Sequence, residues 1–384
     1  MLSGLKGRLN AVARTTGAQP QKPAAPQSAD CMVLRADYPL DESAMRACED
    51  DMRLMCGTDG AGFDINRALF LDTETTGLSG GAGTLAFLTG LGWVEDGRFI
   101  VEQYFLRDYS EEVFMLRRIA ARMAGRTHVV TFNGKSFDCP LLESRFTLMR
   151  MRSDWRELRH IDLLHPARRI WKLRLERCSL GALEQSVLGV SRDIDIPGAE
   201  VPERYFHYLK THDFTEMKEV IEHNRQDIVT LMLLMGRMAD LFRAPLLAGY
   251  QEDIYSLGRA LERGGSGEGA IKCYRAVSHG KLAGRSGASM SMLLKRQKEL
   301  DRAMEVWRDM TARGLGGLMP YIELSKAYEH RLRDYKSALE IVERAQSRAR
   351  ALGDSDALKE LEHRRQRILQ KLSKAGGTLS NQTD

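Results

Sequence analysis

The stretch Ala68-Leu-Phe-Leu-Asp72-Thr-Glu74-Thr-Thr-Gly77 decides how the chain is read. Ala68 and the three apolar residues Leu69, Phe70 and Leu71 predict a buried strand, and a glycine ends the segment. Asp72 and Glu74 are two positions apart, so on a strand both carboxylates leave the same face. Two carboxylates held side by side repel, and each raises the other's pKa unless a cation neutralises them. The pair points to a metal. A strand end whose acids simply face water is the plainer reading of this stretch taken alone.

Around it lies a chain of 384 residues, long enough for about two domains. Its 43% hydrophobic and 28% charged residues are ordinary for a globular protein. The six cysteines, at 31, 48, 56, 139, 178 and 273, form no C-x-x-C pair. That spacing suggests neither a zinc site nor a disulfide scaffold, and it suits a reducing cytoplasm. The first residues carry positive charge without an apolar core of signal-peptide length, and no segment has the apolar run of a membrane span. A soluble cytoplasmic protein with no membrane partner is expected. The net charge is +5, and residues 251–384 hold 25 Lys and Arg against 18 Asp and Glu, a balance of +7. The excess positive charge thus lies outside the region of Asp72.

In chain order, residues 1–30 are rich in Ala, Gly, Pro, Gln and Ser and read as a disordered arm. Residues 31–66 form an extension with a helix around Glu42–Met55. Strands are predicted at Ala68–Leu71, Thr84–Val94 and Arg98–Leu106, with Glu95-Asp-Gly97 as a hairpin turn. Ser110, followed by Glu111 and Glu112, predicts a helix start, with apolar residues at helical spacing up to Gly125. A further strand, Thr127–Phe132, turns at Asn133-Gly134 into a helix over 138–151. The spacing predicts helices over 161–172 and 179–188, a loop over 193–202 and a long amphipathic helix over 215–242. The order of strands and helices implies an α/β domain over 67–242, a mixed sheet flanked by helices.

The last third repeats. Ala270-Ile-Lys-Cys-Tyr274, Ala303-Met-Glu-Val-Trp307 and Ala338-Leu-Glu-Ile-Val342 start 33 and 35 residues apart. A period near 34 with helix-turn-helix texture resembles tetratricopeptide repeats, here over 250–375, with an irregular helical bundle as the alternative. Residues 376–384 read as a polar tail.

A two-metal phosphodiester site takes about four carboxylates. Asp138, just after a strand and turn, is a third candidate, although an Asp at a helix start is often only an N-cap. Asp227, inside an apolar-faced helix with His223 four residues earlier on the same face, is a fourth. Metal pairing would explain an Asp there; a surface His–Asp pair would also do so.

Phe70-Leu-Asp-Thr-Glu-Thr-Thr-Gly77, Asn133-Gly-Lys-Ser-Phe-Asp138 and His223-Asn-Arg-Gln-Asp227 together resemble the three motifs of the DEDD 3′–5′ exonucleases of the ribonuclease H-like superfamily. The glycine-rich Leu78–Gly83, Asp195-Ile-Pro-Gly198 and His223-Asn224 resemble its YprB-like branch. The resemblance implies that Asp72, Glu74, Asp138 and Asp227 bind two Mg²⁺ or Mn²⁺ ions and that the substrate is DNA or RNA, cut from 3′ ends. The chain departs from the pattern at the third motif: a tyrosine stands four residues before the last Asp in one subgroup, and a histidine five before it in the other. His223 has the tyrosine's spacing, and an imidazole there could serve as general base near neutral pH.

Thr75, Thr76, Asn133, Phe137 and Asn224 are candidate substrate contacts beside these motifs, with Phe137 expected to anchor its segment in the core. Arg168 and Arg169 around Trp171 suit phosphate contact and base stacking, or form a solvated basic face. His160, Asp162 and His165 suggest metal ligation at first sight, with capping or core roles as the favoured reading. The glycine-rich run lacks the Lys-Ser/Thr of a P-loop, which excludes nucleoside triphosphate binding there. Two rivals to the exonuclease stand: a weakly active binding or scaffold protein whose repeats recruit a protein partner, and a structure-specific endonuclease on the same site.

Overall fold

The structure, a computed structural model, describes residues 30–77, 83–192 and 196–379. The expected N-terminal arm up to Ala29 and the residues Leu78–Ala82 and Asp193–Asp195 lie outside it. The chain divides into two compact units, Met1–Leu247 and Ala248–Asp384.

The first unit is built on a six-stranded mixed sheet: β1 Met32–Pro39, β2 Ala68–Thr75, β3 Ala86–Glu95, β4 Arg98–Phe105, β5 His128–Thr131 and β6 Arg159–Asp162. The spatial order is β1-β4-β3-β2-β5-β6. Pairs from β1 through β2 are antiparallel, while β2/β5 and β5/β6 are parallel. Strand β2 is therefore the junction of the two halves. Asp96 and Gly97 both take positive φ, 48° and 73°, which closes the β3–β4 hairpin tightly.

Helices α1 Glu49–Cys56, α2 Glu112–Met123, α3 Asp138–Leu148, α4 Leu164–Trp171, α5 Val201–Thr211 and α6 Thr215–Arg243 flank the sheet, with shorter helical pieces at Glu42–Met45 and Leu180–Leu183. Leu69 and Leu71 of β2 join a core with Met115, Leu116 and Ile119 of α2 and Leu142 and Phe146 of α3. The neighbouring position Phe70 stacks edge-on against Phe99 at 5.2 Å. A side chain at Gly92, paired with Phe70, would run into Phe99 and into Ile228 of α6. Helix α6 thus lies close over the glycines of β3. Its interior residues Ile228, Leu231, Leu234 and Met235 are buried.

Several local expectations are corrected. The segment 31–66 contributes an edge strand, β1, which pairs along its whole length with β4. The helix expected over 42–55 is two pieces, Glu42–Met45 and α1. Cys48 between them is extended, with its amide donating to the Asp51 carboxylate, so a second helix start is built mid-segment. Asp108, not Ser110, caps the turn before α2 by accepting from the Ser110 amide. Residues 159–162 are a strand where a helix was expected from 161, because Val129 and its neighbours in β5 offer a parallel edge to pair with. The loop expected over 193–202 ends early, since α5 starts at Val201 with Pro202 in its first turn, where a missing N–H costs nothing.

The second unit is all-helical: α7 Gln251–Arg263, α8 Gly267–Ala276, α9 Ala283–Arg296, α10 Leu300–Ala312, α11 Met319–Lys326, α12 Tyr335–Leu352 and α13 Ser355–Leu379. Ala270, Ala303 and Ala338 are fully buried, and Tyr274, Trp307 and Val342, four residues on, are each 1% exposed. The sequence period is therefore the packing register of α8, α10 and α12. Gly258 of α7 lets Cys273 and Tyr274 of α8 approach where a Cβ would overlap them. Helix α13 continues to Leu379, past the expected start of the tail. Among the described residues no helix is long and apolar enough to cross a membrane.

The constraint nearest the acids falls on Gly90, which pairs with Asp72 across β2/β3. A Cβ there would stand 2.3 Å from Oδ1 of Asn224 and 3.0 Å from Ile228. Gly90→Ala should therefore push α6 off the sheet and destabilise the unit by about 1–3 kcal/mol in chemical denaturation. An unchanged midpoint would show that α6 is not seated as described.

Candidate active site

Parallel pairing of β2 and β5 sets the carboxyl ends of two strands side by side, the usual place for chemistry in such sheets. Asp72 and Glu74 sit at that end of β2. The β2/β3 register shifts between Glu74 and Thr75, a bulge that ends regular pairing just after the second acid.

Asp138 arrives from β5. Asn133 turns the chain with φ 69°, and Gly134 lies where any Cβ would overlap Thr131. The turn is held by Asp162 at the end of β6, whose carboxylate accepts from the amides of Asn133 (2.8 Å), Lys135 (3.2 Å) and Leu164 (3.0 Å). Asp162 is thus a cap, as expected. Asp138 is the first residue of α3, and its Oδ1 accepts from the Thr73 hydroxyl of β2. The N-cap position belongs to Phe137, so the Asp138 carboxylate is turned to the strand instead of closing the helix.

Helix α6 supplies the third side. Asn224 is fully buried and donates from Nδ2 to Oδ2 of Asp72 at 2.8 Å. Gln103 of β4, 1% exposed, donates to Oδ1 of Asn224 at 2.8 Å and to the Ile221 carbonyl at 2.7 Å. Because Gln103 can only donate from that nitrogen, Asn224 has one orientation, with its NH₂ on Asp72. His223 and Asp227 share the next stripe of α6: Nε2 of His223 is 3.5 Å from Oδ2 of Asp227 and 4.0 Å from Oε1 of Glu74.

A residue that sequence reasoning did not single out completes the cluster. Arg192, with its side chain 8% exposed, contacts Oδ1 of Asp227 through Nη2 and lies 2.9 Å from Nδ1 of His223 through Nη1. Its other edge is clamped by Glu184, which also accepts from the Thr230 hydroxyl of α6. Glu184 is 1% exposed and opens a π-helical turn, Glu184–Leu188. A lone acid directly after Leu183, in a segment whose Leu183 and Leu188 are buried, is the one sequence signal that could have flagged this pair. Gln103 and Gly90, on strands that read as plain core, carried none.

The structure separates the remaining candidates. Thr75 and Thr76 tie the end of β2: the Thr75 hydroxyl donates to the Gly77 carbonyl, and Thr76 exchanges bonds with Leu85. Asn224 is corrected from a substrate contact to a support beneath Asp72, since full burial denies it access to a ligand. Trp171 is 1% exposed and packs in the core, so it offers no face for stacking. Arg169 donates to the Met55 carbonyl at 2.9 Å, and Arg168 is exposed beside it. Phe137 does not anchor its segment: it is 54% exposed, next to Asp138. His160 bonds to Thr131, and burial lowers its pKa to about 4, so it is a neutral core histidine.

Residues 69–239 match the RNase_H_2 family model of the RNase_H superfamily. The chain is 31% identical over 346 residues to the uncharacterized protein YprB of Bacillus subtilis (strain 168), covering 86% of this chain and 83% of that one. Among solved structures it is similar to the family B DNA polymerase of the hyperthermophilic archaeon Pyrobaculum calidifontis, at 15% identity and a TM-score of 0.36. That likeness covers 54% of this chain, which spans 29% of the polymerase.

The four acids feel one another. Burial, and then Asp227, Asp138 and Glu74, hold the Asp72 carboxyl well above its usual range against the lowering bond from Asn224. Burial, with Asp227 and Asp138, raises Glu74 to about 8, with Arg192 opposing. Burial likewise raises Asp138, with Thr73 partly offsetting it. Hard carboxylate oxygens crowded in this way suit a hard divalent ion such as Mg²⁺ or Mn²⁺, which would relieve the repulsion. As the side chains stand, no three acidic, imidazole or thiol groups among the described residues close on one ion position.

The sign of the charge effect is testable. A buried acid whose folded pKa lies above its unfolded value stabilises fully below the unfolded pKa, and that stability is lost as pH rises through the folded one. For Glu74 the window runs from about 4.5 to about 8. The chelator-treated protein should lose more melting temperature between pH 5 and pH 8 than its Glu74→Gln variant does. Mn²⁺ should restore more stability at pH 8 than at pH 5. Parallel pH profiles for the two proteins would contradict this.

Proposed function

The chain belongs to the YprB family of the ribonuclease H superfamily, and on that premise we propose that it is a metal-dependent 3′–5′ exonuclease acting on single-stranded ends of DNA or RNA. The observation that carries the reading is the convergence of Asp72, Glu74, Asp138 and Asp227 from three separate elements into one largely buried, mutually repelling set. Such a set is costly in a protein with no use for it.

In this reading Asp72, Glu74, Asp138 and Asp227 hold two Mg²⁺ or Mn²⁺ ions. When bound, the ions supply Lewis-acid activation of water and stabilise the departing 3′ oxygen. The protein's own part is positional. Asn224, fixed by Gln103, holds Asp72 in one rotamer while Thr73 holds Asp138. His223 accepts the proton of the attacking water, from a position within 4.0 Å of Glu74. Exposed Phe137, beside Asp138, offers a face on which the terminal base can stack. The helical unit, which we read as tetratricopeptide-like, carries the positive excess of the chain and would take either a protein partner or nucleic acid along its surface.

One gel tests the reading. On 5′-labelled single-stranded DNA and RNA, the wild type with Mn²⁺ should give a ladder shortening from the 3′ end. Asp72→Ala should abolish it, and His223→Ala should slow it by about 10²–10⁴-fold while remaining folded. A circular single strand should stay intact. Cleavage of the circle would make the enzyme an endonuclease. Absence of any Mn²⁺-dependent cleavage would favour the scaffold alternative.

A further inference from the structure

Arg192 stands in a built position. Two of its nitrogens are clamped by the carboxylate of Glu184, which is itself buried and fixed by Thr230. The guanidinium is thereby aimed, not swept, into the acid cluster, where it meets Asp227 and His223 together. Nη1 lies 2.9 Å from Nδ1 and 3.4 Å from Nε2 of His223, so the guanidinium sits against the imidazole ring as a whole. Nε2 of the same ring faces Asp227 and Glu74. Asp227 has Oδ1 engaged by the guanidinium and Oδ2 turned toward His223. Both the last acid of the set and the imidazole proposed as base are therefore engaged by one residue.

We infer that Arg192 is a resident cation that holds Asp227 and His223 in the ion-free protein and is displaced from Asp227 when a divalent ion binds there. This rests on the metal-dependent reading above. A guanidinium and a divalent ion compete for the same carboxylate. Displacement frees Asp227 as a ligand and draws the positive charge away from the His223 ring in one move, so the imidazole becomes available as a base only once the ion is present. The clamp by Glu184 keeps Arg192 near the site, ready to return when the ion leaves. A substrate-free, ion-free protein would in this way avoid an unpaired buried carboxylate at Asp227.

The test is a Mn²⁺ titration of the full chain by calorimetry. It compares the wild type with Arg192→Lys, Arg192→Gln and the double variant Glu184→Gln/Arg192→Gln, which removes both charges of the clamp and leaves no unpaired Glu184. Circular dichroism verifies that each is folded. With the competitor gone, the double variant should bind Mn²⁺ about tenfold more tightly than the wild type, as should Arg192→Gln where it folds. Arg192→Lys, which keeps a positive charge, should remain close to the wild type. A merely structural Arg192 predicts the opposite sign, because losing a support weakens ligands. Equal or weaker Mn²⁺ binding by the folded double variant would overturn the inference, as would tightening by Arg192→Lys to the same degree. A wild type that takes up no Mn²⁺ at all would instead sink the metal-dependent reading on which it stands.

Discussion

Like-charge crowding is the constraint around which the first unit is organised. Asp72 is partly buried and near three other carboxylates, and burial is the largest contribution to holding its carboxyl above the usual range. Nothing in the sheet relieves that crowding by itself. The fold tolerates it by fixing each acid from behind. Asn224 and Gln103 secure Asp72, Thr73 secures Asp138, and Arg192 with Glu184 secures Asp227. Buried amides and an ion pair that hold acids together are what the proposed divalent-ion site requires of its supports.

The sheet topology explains why those supports converge. Strand β2 is antiparallel to β3 on one side and parallel to β5 on the other. The antiparallel side brings Gly90 opposite Asp72, and its missing side chain is the space that Asn224 enters. The parallel side brings the turn after β5, and with it Asp138, to the same end of the sheet. Helix α6 closes the arrangement because glycines 90 and 92 let it come close enough to bond. Packing and chemistry are here the same set of contacts.

Much of this could be read from the chain. The apolar run before Asp72, the hairpin at Asp96-Gly97, the turn at Asn133-Gly134 and the period of α6 are local signals, written in neighbouring residues. Those local signals also carried the four acids and His223, because each lies inside a motif with its own strand or helix. What escaped was non-local. Strand β1 pairs with residues 59 to 73 positions away, and the four residues of β6 have too short a pattern to outvote the helix that follows. Phe137 and Trp171 exchanged their expected places because periodicity says that an aromatic is present and not which way it faces. Arg192 was invisible for a similar reason: its meaning comes from Glu184 and Asp227, which only the fold brings to it.

The central claim is that the four carboxylates form a divalent-ion site, and a crystal grown with Mn²⁺ tests it most directly. Anomalous scattering at a wavelength where manganese is strong and lighter ions are weak would show where the ions go. The account predicts peaks within ligand distance of Asp72, Glu74, Asp138 and Asp227, with the Arg192 guanidinium moved off Asp227. Manganese bound elsewhere, or none at the acids while the Arg192–Asp227 pair persists at saturating Mn²⁺, would contradict it.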